Sequence, residues 1–188
     1  MRILACIRIV CIILSIFLIG CSMNANRMVS KRLDSGDLNG RLGTQTIDLS
    51  VGAECPGTKS LRVVSGETRT DNYCINEVMG GCRWYIIPKE FTDDIVKYIE
   101  NRLTESRIKL GSDNMIIVSL EELKSQEGVW TFGSSCKIRI QIPEINYSQA
   151  YVGESGGALG DLAAAYAIHI AVDNFFKDPV FQNFIKCH

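Results

Sequence analysis

Histidine is scarce in this chain of 188 residues, which has only His169 and His188. No C-x-x-C pair accompanies them, so the ligand spacing of a zinc site is missing. No metal or other cofactor is expected. A block of like charge is also lacking: 20 Lys and Arg stand against 21 Asp and Glu, for a formal charge of −1, and the basic residues are scattered. A nucleic-acid footprint needs a basic stripe or patch, so nucleic acid is excluded as a partner class. The apolar run at the amino terminus, Ile9 to Ile19, covers only 11 residues. Spanning a hydrocarbon core takes roughly 20, so this run is not a transmembrane helix.

Its length matches the core of a secretory signal peptide, roughly 7 to 15 apolar residues. Arg2 and Arg8 precede it and Gly20-Cys21 follows. Leu18-Ile19-Gly20-Cys21 resembles a bacterial lipobox, in which a diacylglyceryl group joins the Cys thiol and cleavage before that Cys makes it the first mature residue. Gly20 supplies the small residue before the cut and Cys21 the thioether. The resemblance implies a signal peptide over residues 1–20, a lipid on Cys21 and a membrane as partner. By the same resemblance, Ser22 after the lipidated cysteine implies sorting to the outer membrane, facing the periplasm. Removing Arg2 and Arg8 takes the formal charge to about −3, and Cys21 to His188 is long enough for one domain with a core.

Export places the remaining cysteines in an oxidising compartment. With Cys21 acylated, Cys55, Cys74, Cys82, Cys136 and Cys187 remain, an odd number that leaves one thiol free or paired between chains. Cys74 and Cys82 are separated by INEVMGG, whose Met79-Gly80-Gly81 can turn the chain back, so a local disulfide is expected there.

Residues 21–59 are polar and turn-rich and read as a lipidated cysteine plus tether, with a short strand over 46–51. As a flexible coil this stretch would span about 30 to 36 Å and hold the domain clear of the headgroups. Residues 60–188 read as an α+β domain. Leu61 to Ser65 forms a strand, GETRTDNY a loop, and Cys82 to Ile87 a second apolar stretch stopped by Pro88. Phe91, Ile95, Ile99 and Leu103 share one helix face. Thr92 is the expected N-cap, Phe91 a staple onto Val96, and Gly111 the helix stop. Ile116, Val118 and Leu120 alternate, as do Cys136, Ile138, Ile140 and Ile142, with Lys137, Arg139 and Gln141 on the opposite, wet face. A further strand over 145–152 leads to GESGG and then to a very apolar helix, about Ala158 to Phe176, which must be buried on more than one side. The order strand, helix, strands, helix predicts a small antiparallel or mixed sheet with two helices packed on one face.

The run VVSGETRTDNY, the helix FTDDIVKYIENRL, the segment MIIVSLEEL, the strands up to AYVGES and the closing DPVFQNFIK together resemble the YajG-type family of uncharacterised bacterial lipoproteins. Arg69-Thr70-Asp71 matches that family's R-T-D loop, and Phe184-Ile185-Lys186 its closing F-I-K segment. The chain departs from the family in the tight link near Pro143-Glu144 and in its cysteine pattern. The resemblance implies a periplasm-facing lipoprotein and carries no catalytic residues with it.

Gly153-Glu154-Ser155-Gly156-Gly157 fits the G-x-S-x-G pattern of a hydrolase nucleophile elbow. It falls too near the end of the chain for an acid and a histidine to follow in hydrolase order. His169, expected about four turns along the same helix, would lie some 20 Å away. The plainer reading makes Gly153, Gly156 and Gly157 a sharp turn, Ser155 or a neighbour a helix cap, and the free amides of Gly156 and Gly157 a contact for an anion or partner. Arg69 and Asp71 are candidates for the same role, or for an ion pair fixing their loop. His169 reads as a hydrogen-bonded core residue. Glu121 and Glu122 should point to opposite faces of a strand. Trp84, Tyr85, Trp130 and Phe132 are the aromatic candidates for partner contact, with at least two of them in the core. The sequence thus points to a non-enzymatic, lipid-anchored binding or scaffolding module with an envelope protein as partner. Its alternatives are an accessory lipoprotein of a transport or envelope-assembly complex and a serine hydrolase using Ser155.

Overall fold

The computed structural model describes residues 22–34, 60–78, 80–106, 108–128 and 130–185. The strand expected over 46–51, the signal peptide and Cys21 lie outside these residues. In chain order the elements are β1 (Met23–Asn24), α1 (Asn26–Asp34), β2 (Leu61–Ser65), β3 (Tyr73–Val78), β4 (Gly81–Ile86), α2 (Pro88–Glu105), β5 (Asn114–Glu127), β6 (Phe132–Ile142), β7 (Tyr147–Gly157), α3 (Gly160–Phe176) and α4 (Pro179–Ile185). A single 3-10 turn, Pro143–Ile145, links β6 to β7 and ends on Asn146 in the left-handed region.

The main sheet has the order β2-β5-β6-β7. β2 runs parallel to β5, and the other pairs are antiparallel, so the sheet is mixed. The alternation read from the sequence decides which face is covered: Cys136, Ile138, Ile140 and Ile142 are buried, as are Ile116, Val118 and Leu120 beside them. α2 and α3 lie over that face, α2 on β2 and β5, α3 across β5, β6 and β7. Phe91, Ile95, Ile99 and Leu103 on α2 are fully buried, and α3 is buried nearly all round. Both outcomes follow from the expected pattern, since a stripe at four-residue spacing buries one face and an apolar helix must be covered on several.

Several local expectations are corrected. α2 begins at Pro88, which has no amide hydrogen to leave unpaired in the first turn. Thr92 and Phe91 therefore lie inside the helix, Thr92 fully buried, and neither caps nor staples it. The helix ends at Glu105, and Gly111 instead lets the chain pass against Ser60, where a β-carbon would lie 2.2 Å from the serine Oγ. The tether expected over residues 21–59 does not begin at Ser22. β1 pairs with β4, and α1 docks on α2 and α3, burying Ala25, Val29 and Leu33. Val29 and Leu33 stand four residues apart on one helix face, a stripe too short to register against a polar background. Polar ties fasten it. The Ile87 amide donates to Asn26 Oδ1 (3.1 Å), Asn26 Nδ2 donates to Glu90 (3.2 Å), Arg32 Nε donates to Asp161 (2.8 Å), and Ser30 bonds Asp94.

β1, β4 and β3 form a second, three-stranded sheet in that order. The disulfide expected between Cys74 and Cys82 crosses its β3-β4 hairpin, with the α-carbons 5.7 Å apart. Cys136 carries a free, fully buried thiol, and burial pushes its pKa up to about 12. It is inert core rather than a reactive group.

Candidate functional site

GESGG is neither an elbow nor a helix-start turn. Its five residues are the last of β7 and stay in register with β6, Gly153 opposite Cys136, Ser155 opposite Ser134 and Gly157 opposite Phe132. Of the described glycines only Gly80 has positive φ, so Gly156 and Gly157 hold ordinary extended backbone. α3 starts later, at Gly160, with no side-chain cap, which removes Gly156 and Gly157 from any anion contact at its first amides. Gly153 has another task. A β-carbon there would lie 2.0 Å from the Ala167 carbonyl oxygen and 2.5 Å from the Ala171 nitrogen, so its bare backbone is what lets α3 lie against β7.

Ser155 and His169 therefore occupy different elements, and the histidine is committed elsewhere. Tyr98 and Arg102 on α2 face His169 and Asp173 on α3. Arg102 donates to the Tyr98 hydroxyl oxygen (3.1 Å) and to Asp173 Oδ1 (3.0 Å). The Tyr98 hydroxyl bonds His169 Nδ1, and Asp173 Oδ2 lies 3.4 Å from His169 Nε2. Arg102 also lies 3.3 Å from Nδ1, so a neutral ring accepts there, while Nε2 is buried without a hydrogen-bond partner of its own. Burial, reinforced by Arg102 and Lys177 and opposed by Asp173, holds the His169 pKa below its ordinary value. Burial likewise raises that of Tyr98. The four buried side chains tie α2 to α3.

Arg69 and Asp71 do not form the expected pair. Arg69 turns back to Glu67, donating from Nε (2.9 Å), and also reaches the Leu120 carbonyl. The Glu67 carboxylate takes the backbone amides of Thr68 and Arg69 as well, both at 3.0 Å. Bonding to Arg69 holds the Glu67 pKa below the usual range against the opposing effect of burial. Glu67 is the buried anchor of this loop and was not singled out in the sequence, while Asp71 points to solvent. The paired glutamates are corrected too. A β-bulge between Leu120 and Glu122 sets Glu121 and Glu122 on the same open face, where Glu121 meets Lys137 (2.9 Å) and Arg139 and Glu122 meets Lys124. The extra residue resets the alternation that would have separated them.

The four aromatic candidates divide. Trp84 stacks on Phe132 with ring centroids 5.4 Å apart, over Gly160, where a β-carbon would meet the indole at 1.9 Å. Tyr85 is half-buried in β4. Trp130 is 88% exposed in the turn between β5 and β6. Beside Trp84 an apolar pocket opens between β1, α1 and α3, lined by Met23, Met28, Ile75, Trp84, Gly160 and Ala164. A second polar cluster joins Tyr147 and Tyr151 to Asp178 at 2.8 and 2.7 Å, with Asp178 Oδ1 capping α4 through the Val180 amide (2.7 Å). It ties the chain end to β7 and closes the helix layer.

Among the described residues no cluster of His, Cys, Asp and Glu could hold a metal ion, and no helix is long and apolar enough to cross a membrane. The chain matches no family model, no curated protein and no solved structure.

Proposed function

We propose that this chain is a bacterial envelope lipoprotein anchored through Cys21, sorted to the outer membrane, whose periplasmic domain binds or positions another envelope component without catalysing a reaction. The observation that carries the reading is the amino-terminal order of Arg2 and Arg8, an apolar run, and Leu18-Ile19-Gly20-Cys21. The Cys74–Cys82 disulfide agrees with an oxidising compartment. Ser155, held in a strand with His169 engaged by Tyr98, Arg102 and Asp173, argues against the hydrolase alternative. The likeness to YajG-type lipoproteins belongs to the same proposal.

Intact-mass analysis of the protein from membranes tests it. A diacylglyceryl adduct on a chain beginning at Cys21 is expected, and Cys21→Ser should move the protein to the soluble fraction, since stable anchoring needs two or more acyl chains. Membrane sedimentation of Cys21→Ser, with no acyl mass on the native protein, refutes the anchor. Crosslinking in intact cells followed by recovery of the acylated protein would identify the envelope partner.

A further inference from the structure

We infer that the domain does not hang from its lipid but sits on the bilayer, with the end of the sheet that carries Trp130 pressed into the headgroup layer. The inference rests on acylation of Cys21. Whatever its conformation, Cys21 lies within about 7 Å of Met23, the reach of two residues of chain. Met23 is fixed, paired with Trp84, and β1 runs parallel to β4. The chain thus arrives at Met23 from the side of the β3-β4 hairpin tip, where Gly81 pairs with Val78.

That tip and the β5-β6 turn are at the same end of the molecule, joined by the Arg83–Glu127 ion pair and by Asn76 Nδ2 donating to the Ser125 carbonyl (3.0 Å). The end of β7 is there too, because Gly157 pairs with Phe132. Of the nine exposed large apolar side chains among the described residues, five (Met23, Met28, Val78, Trp130 and Leu159) belong to this end, Trp130 at 88% and Leu159 at 50% exposure, while Leu110, Ile145, Val152 and Val180 are spread over the rest of the surface. Unpartnered apolar groups gathered within reach of a covalent lipid fit the bilayer interface, and tryptophan is the side chain that favours that layer. A tether of the length read from the sequence would have separated the two.

The chain has two tryptophans, so the difference between the native protein and Trp130→Phe isolates Trp130 emission. The acylated protein is reconstituted in phosphatidylethanolamine/phosphatidylglycerol vesicles containing phosphatidylcholine brominated either near the headgroup or near the chain end. Trp130 emission is expected to shift to the blue relative to lipid-free Cys21→Ser protein, and to lose most of its intensity with the shallow quencher but little with the deep one. Acylated, vesicle-bound protein whose Trp130 is unshifted and unquenched overturns the surface and leaves the anchor standing. Absence of an acyl mass on Cys21 overturns both.

Discussion

Replacing Gly153 by alanine should be the most damaging single-methyl change in GESGG. Its added β-carbon would stand 2.0 Å from the Ala167 carbonyl oxygen and 2.5 Å from the Ala171 nitrogen, both backbone atoms of α3. Backbone cannot swing aside as the end of a side chain can, so α3 must lift from β7 or the strand must bow. Overpacking of this kind costs about 1 to 3 kcal/mol, and a clash with two backbone atoms belongs at the upper end. For a chain of this size 1 kcal/mol moves Tm by about 2 to 4 °C, so Gly153→Ala should lower it by about 6 to 12 °C. Gly156→Ala is the control. Its β-carbon would meet only the Phe132 carbonyl oxygen at 3.5 Å, an ordinary contact, and the loss of unfolded-state freedom stabilises such a change by about 0.4 to 1 kcal/mol. Ser155→Ala should also be mild, because the serine caps no helix. Thermal melts of the purified mature proteins, followed by far-ultraviolet circular dichroism, give the comparison. Equal Tm for Gly153→Ala and Gly156→Ala would refute the close approach of α3, and a larger loss for Gly156→Ala would restore the turn reading.

The Cys74–Cys82 bridge closes a short loop, so Cys74→Ser with Cys82→Ser should cost about 2.6 kcal/mol by the chain-entropy estimate, read from urea unfolding; two free thiols in non-reduced peptide maps would refute the bridge. His169 has a lowered folded pKa, so the unfolded chain takes up its proton first as pH falls below the ordinary 6.5. Its contribution to stability is therefore complete above that value and is lost as pH drops toward the folded pKa. Unfolding free energies between pH 7.5 and pH 5 should decline in the native protein and decline less in His169→Phe, which is destabilised throughout because Tyr98 and Arg102 lose the Nδ1 acceptor. A native curve that rises toward pH 5 would show a ring that is charged when folded.

The α+β class, the covered sheet face and the buried stripe of α2 were legible because each rests on local periodicity, and Cys136 to Ile142 and Phe91 to Leu103 carry the period of their element. The disulfide was legible because its loop is short. What escaped depends on distant partners or on one extra residue. The parallel pairing of β2 with β5 and the docking of α1 join residues more than fifty positions apart. Nothing local marks Arg102, whose partners Asp173 and His169 lie on another helix far along the chain. The bulge beside Glu121 shifts alternation by a single position, which the sequence does not mark. GESGG misled for a related reason: glycine suits both a tight turn and a backbone that another helix must approach closely, and only packing distinguishes them.

Docking of β1 and α1 also sets how the domain can meet a partner. A coil over the whole of 21–59 would let any face turn outward, whereas pairing of Met23 with Trp84 would tie an end anchored through Cys21, as proposed, to one pole of the sheet. The opposite pole, formed by the Pro143–Ile145 turn with Ile145 exposed, is then carried outward by the length of β6. At about 3.3 Å per residue its 11 residues amount to roughly 35 Å. On the proposed anchoring, the open sheet face between the poles, where Lys137 and Arg139 both pair with Glu121, would stand along the membrane normal. A periplasmic partner would meet that face or the outer turn.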